Sequence, residues 1–143
     1  MNQQNETYFA TPQRVTGQDL QQQIELTNQH PIMKELLKTV SGLMAILNEY
    51  RQIVALNKAY LESLGFDSIY DVIGMRPGES VECIHAREIP GGCGTSEYCS
   101  SCGAAIAIVT SLAEKKEIQQ KCAITLRKHG VIKEICLLVS CSP

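Results

Sequence analysis

The sequence predicts an α+β domain: an antiparallel sheet with flanking short helices, preceded by an N-terminal helical segment. Three observations predict it. Apolar runs stand in pairs around polar turns at 43–56 and again at 118–141, the mark of hairpins. Between them the apolar residues recur every three to four positions, the mark of helices. A chain of 143 residues, 44% hydrophobic and 20% charged, also carries enough apolar surface for one packed core, which excludes disorder throughout.

Residues 1–17 are polar, rich in Gln, Asn and Thr and broken by Pro12 and Gly17, so they are expected to form a flexible leader. Residues 18–42 form the helical segment. Leu20, Ile24 and Leu26 give one short amphipathic helix from Asp19 to Gln29; after Pro31, Met33, Leu36, Leu37 and Val40 give a second, stopped by Gly42. Such a segment packs on the domain it precedes or pairs with its copy in a dimer. Residues 43–143 hold the sheet. Leu43–Leu47 and Ile53–Leu56 read as a hairpin around a polar turn, and Asn57 caps a helix over Lys58–Leu64 that Gly65 ends. A short helix at Ser68–Ile73 closes at Gly74. Residues 76–101 read as loop, and a stretch of that length inside a small domain is usually functional. A helix restarts at Gly103 and runs to Lys116, with Ile106, Val109, Leu112 and Ala113 as its inner face. Strands Ile118–Lys128 and Val131–Cys141 follow, joined by a tight His129–Gly130 turn.

Composition narrows the function classes. Thirteen Lys and Arg against fifteen Asp and Glu leave a net charge of −2, so no basic field for nucleic acid is present. The longest apolar stretch, Ala104–Val109, falls far short of the roughly 20 residues of a bilayer-spanning helix, and no basic-then-apolar export signal opens the chain. The expectation is a cytoplasmic segment without membrane contact. Seven cysteines, an odd number without an export signal, point to reduced thiols used for metal binding or redox chemistry.

The stretch ILNEYRQIVALNKAYLESLGFDSIYDVIGMRPGE, with Asn57, Ala59, Leu64, Gly65 and Gly74 in place, resembles the PAS sensor fold: a hairpin whose second strand enters an N-x-A-x-x-x-x-L-G helix, then an I-G turn. The resemblance covers residues 43–143. It implies a five-stranded antiparallel sheet, of which four strong strands are found, so the fifth is expected to be missing and the domain C-terminally incomplete. An edge would then be left for a partner or the leader to fill. The segment ECIHAREIPGGCGTSEYCSSCGAAIAI looks like the cysteine-bearing variant of PAS domains in bacterial and archaeal sensor kinases and related regulators.

Cys83, Cys93, Cys99 and Cys102 lie at spacings of nine, five and two intervening residues. A C-x-x-C turn brings two sulfurs together, and Cys102 also opens a helix, where free amides and the helix dipole favour the thiolate that ligates. The four suit zinc or an iron–sulfur cluster equally in number, with His85 as a substitute ligand. Reversible pairing of Cys99 with Cys102 and unliganded thiols remain open alternatives. Cys122, Cys136 and Cys141 on the alternating strands read as small hydrophobes. Gly103 stands where c-type haem attachment requires His, which excludes that chemistry. No P-loop, G-x-S-x-G or H-E-x-x-H occurs, and the Arg76–Glu79 turn reads as structural.

The function expected is a non-catalytic sensory module that reads redox state, oxygen or metal through the four-cysteine loop, as a homodimer, and relays the change to a downstream output domain, a histidine kinase first. The alternative is a zinc-stapled dimerisation module. A thiol–disulfide enzyme lacks the strand-then-helix order before its C-x-x-C. An organic ligand among Leu56, Ile73, Val109 and Leu126 is compatible with the sequence.

Overall fold

The computed structural model describes residues 6–143. Contacts divide the chain into two compact units, Arg14–Ser80 and the N-terminal stretch through Gln13 together with Val81–Pro143, so the span 43–143 contributes to both. No described helix is long and apolar enough to cross a membrane.

In the unit Arg14–Ser80, helix α1 (Gly17–Gln29) is followed directly by α2 (Pro31–Thr39), with Pro31 at the first helical position, where its missing N–H costs nothing. Strands β1 (Ala45–Leu47) and β2 (Ile53–Leu56) pair antiparallel with an irregular register between Ile46 and Leu47. Asn48 builds their turn: its Oδ1 accepts the N–H groups of Tyr50 (3.0 Å) and Gln52 (2.9 Å), and Arg51 takes a left-handed φ of 67°. All four β2 residues are buried, and with Leu64 and Val72 they form this unit's core.

Asn57 ties three segments to the end of β2. Its Oδ1 accepts the Tyr60 N–H (3.0 Å), capping α3 (Lys58–Leu64), and the Met44 N–H (3.1 Å). Its Nδ2 donates to the carbonyls of Val40 (3.2 Å) and Gly42 (2.7 Å). Gly65 ends α3 with φ 74°. A 3-10 turn at Ile69–Asp71 and the short α4 (Pro77–Ser80) follow. Arg76, fully buried, donates through Nε to the Tyr50 carbonyl (2.9 Å), and its N–H reaches Glu79 Oε1 (3.0 Å), which Arg14 also pairs. The Arg76–Glu79 turn is thus spent on internal ties.

The other unit is a hairpin with a helix on it. Strands β3 (Ile118–Lys128) and β4 (Val131–Cys141) pair without interruption from Lys128↔Val131 to Ile118↔Cys141. His129 (φ 51°) and Gly130 (φ 76°) are both left-handed, as a two-residue hairpin turn with the right twist requires. Tyr8 and Ala10 donate to the carbonyls of Thr95 and Gly94, both at 2.9 Å, so the expected loose leader is held to the cysteine loop there.

Helix α5 (Gly103–Glu114) lies on β3, and a Cβ on Gly103 would stand 2.0 Å from the Lys121 carbonyl oxygen. That approach corrects the expected inner face. The buried α5 residues are Gly103, Ala105, Ala107 and Ser111, whereas Ile106, Val109 and Leu112 are half-buried and Ala113 is exposed. A helix lying on strand backbone buries small side chains because large ones would hold it off.

The α+β class holds. The described ladders are two two-stranded sheets, β1–β2 and β3–β4, where the PAS resemblance implies one sheet with its fifth strand missing.

Two stability changes follow from these ties. Asn57→Ala loses four hydrogen bonds, including the α3 cap, and is expected to cost about 2 kcal/mol in urea unfolding. Gly103→Ala forces α5 away from the Lys121 carbonyl and is expected to cost about 1–3 kcal/mol by the same measurement.

Candidate functional site

All four loop cysteines and Cys122 belong to the unit that carries α5 and β3. Cys83 bridges to Leu126 of β3, where Ile84 donates to the Thr125 carbonyl and Arg127 to that of Glu82, each at 3.0 Å. The loop is thereby stitched to the strand, with Glu82 in a left-handed conformation to make the turn. Cys93 is half-buried between Gly92 (φ 85°) and Gly94 (φ 90°), beside the fully buried Thr95. Cys99 is buried in the 3-10 turn Glu97–Ser101, its Sγ 3.3 Å from Ser96 Oγ. Cys102 is the N-cap of α5, and its Sγ lies 3.7 Å from that of Cys122.

The electrostatics follow from burial and from the helix start. Burial pushes the Cys83 thiol up; the His85 and Ala86 amides favour its thiolate, while Cys102 and Cys99 oppose a further negative charge there. Burial likewise pushes Cys122 up, to about 11, with the neighbouring Cys102 adding to the rise and the amides of Ala104 and Gly103 opposing it. The free N–H groups at the start of α5 therefore serve the sulfur of Cys122, a strand residue. Cys141 is pushed up by burial alone.

His85, the candidate substitute ligand, spends Nδ1 on Glu88 and stacks its ring on Tyr98 at a centroid distance of 3.8 Å. The donor chemistry of the thiols suits a soft metal. Their placement does not: among the described residues no group of three or more His, Cys, Asp or Glu is gathered to hold a metal ion. As placed, Cys83, Cys93, Cys99 and Cys102 do not close around one point in the way a bound zinc or cluster would require.

What the structure does bring together is Cys102 with Cys122, with Cys83 in electrostatic reach of Cys99 and Cys102. Cys122 is 2% exposed, as expected for a small hydrophobe, yet it meets a thiol; Cys136, given the same reading, is exposed. No spacing rule links residues 102 and 122. The available signal was Gly103, a glycine opening a helix beside a cysteine, which marks a close backbone approach. In the unit Arg14–Ser80, an open cleft of about 520 Å3 includes Arg14, Asp19, Gln23, Glu49 and Tyr50 in its lining; Leu56, Ile73, Val109 and Leu126 do not line it.

Comparison with protein-family models, with curated proteins and with solved structures finds no match.

The raised Cys122 value sets a pH dependence. The folded state keeps this proton up to about pH 11, while the unfolded thiol releases it near 9.0. This thiol leaves stability unchanged below pH 9 and lowers it as pH rises through that window. Correspondingly, Cys122, protonated and 2% exposed, is expected to resist iodoacetamide at pH 8 in the folded chain and to react at the same pH once urea unfolds it, read by peptide mass spectrometry at fixed reaction time.

Proposed function

We propose that this chain is the sensory input module of a cytoplasmic signalling protein, a PAS-like domain without catalytic chemistry of its own, that reads redox state through its cysteines. The observation that carries this reading is the meeting of Cys102 and Cys122 at the joint between α5 and β3. A chemical change at those sulfurs alters charge and packing where the helix is set against its strand, the kind of local event that biases a two-state element. An output domain, a histidine kinase first, would receive the bias. The PAS resemblance supports it through Asn57, whose side chain joins strand end, helix cap and preceding segment. A homodimer is supported by α2 and its end, where Ile32, Leu36 and Val40 recur at helical spacing and are exposed.

Hydrogen exchange of the purified chain, reduced and then mildly oxidised, tests the reading, with iron, zinc and acid-labile sulfide measured on oxygen-free protein. Altered protection in α5 and residues 83–102, with β1 and β2 unchanged, is the expected result. Equal protection in both states overturns it, and stoichiometric zinc with equal protection assigns the loop instead to a zinc-stapled dimerisation module.

A further inference from the structure

We infer that Cys102 and Cys122 are a disulfide-forming pair, and that Cys122, not the Cys99 of the C-x-x-C string, is the partner of Cys102. The inference deepens the redox reading above by naming the bond that would form.

Position comes first. The two sulfurs are 3.7 Å apart, already in van der Waals contact, and a disulfide of about 2.05 Å would draw them together from there. Gly103 enforces the meeting: its contact with the Lys121 carbonyl holds the cap of α5 against the residue preceding Cys122. Cys99 is committed elsewhere. It is buried in the 3-10 turn with its sulfur on Ser96 Oγ, and its carbonyl accepts the Cys102 N–H at 3.2 Å.

Access comes second. Cys102 is half-buried and can be reached from solution, whereas Cys122 is 2% exposed and meets only what its neighbour carries. The reaction with a low-molecular-weight disulfide RSSR then has a fixed order. The Cys102 thiolate attacks one sulfur of RSSR, forming Cys102–S–SR and expelling RS−. Cys122 loses its proton, and its thiolate attacks the Cys102 sulfur, forming the Cys102–Cys122 bond and expelling a second RS−. Two thiols are oxidised, one RSSR is reduced, and the two thiol protons leave with two RSH. The Gly103 and Ala104 amides stabilise the Cys122 thiolate as it forms, and its burial makes this second step the slower one at neutral pH.

The test is oxidation of the purified chain with glutathione disulfide, acid quenching, and tryptic mapping without reduction. Cleavage leaves Cys93, Cys99 and Cys102 on peptide 88–115 and Cys122 on peptide 122–127, so the pairing appears as a cross-linked mass. The expected result is that cross-link as the dominant disulfide, retained in Cys99→Ser and absent in Cys102→Ser and Cys122→Ser. A dominant disulfide internal to 88–115 overturns the inference, as does a stable glutathione adduct on Cys102 without the cross-link. The wild-type map decides alone if a variant fails to fold. Should the cross-link form while α5 protection stays unchanged, the pair stands and the sensory reading falls.

Discussion

The contact of Gly103 with the carbonyl of Lys121 is the constraint on which the cysteine-bearing unit depends. With a Cβ there at 2.0 Å from that oxygen, only glycine lets the first turn of α5 rest on β3. From this one approach follow the small buried residues along the helix, the half-exposure of Ile106 and Leu112, and the arrival of the Cys102 sulfur at Cys122. The far end of the helix is held by other means: Ser111 donates to the Lys116 carbonyl at 2.8 Å, and Lys115 takes the left-handed cap conformation. The helix is thereby fixed by backbone proximity at one end and by a cap at the other, with little large-side-chain interlock between. Such an interface is sensitive to anything that alters the few atoms at the close end.

Burial and hydrogen bonding pull the thiols of that end in opposite directions. Desolvation holds Cys83 and Cys122 protonated, while backbone amides from His85, Ala86, Gly103 and Ala104 stand ready to stabilise their thiolates. The half-buried Cys141 thiol, by contrast, is raised by burial with no such donor opposing it. The pairing of a desolvated sulfur with nearby donors differs because the amides offset part, though not all, of the cost of removing the proton. The same opposition of burial and amide donors occurs at both Cys83 and Cys122.

Much of the fold was legible because its signals are local. Asn57 and Gly65 bound α3 by cap chemistry that acts within four residues, and His129–Gly130 fixes the β3–β4 register from the turn alone. The ends of β2, β3 and β4 follow from the same turns and caps. The candidate site was less legible. Sequence proximity gathered Cys83, Cys93, Cys99 and Cys102 into a ligand set, whereas the fold places Cys102, at the cap of α5, against Cys122 on β3. Alternation along β3 correctly buries Cys122, but burial alone says nothing of what lies opposite. The inner face of α5 was misread for a related reason: periodicity finds the most apolar stripe, and a glycine forced onto backbone selects the smallest one instead.

The C-x-x-C string shows how local geometry limits what spacing implies. Its reactivity in a helix start depends on free amides aimed at the first sulfur, and here Cys99 lies within a 3-10 turn that ends with the Cys102 N–H bonded back to the Cys99 carbonyl. The turn consumes the donor that would otherwise face a thiolate, and Ser96 occupies the Cys99 sulfur. The donors that remain, at Gly103 and Ala104, point across to β3 and favour charge on Cys122. The motif therefore contributes one sulfur and a helix start, and the strand contributes the second sulfur. Joining them would tie the cap of α5 covalently to the middle of the hairpin that carries it, so the chemical state of the thiols and the seating of the helix become a single variable.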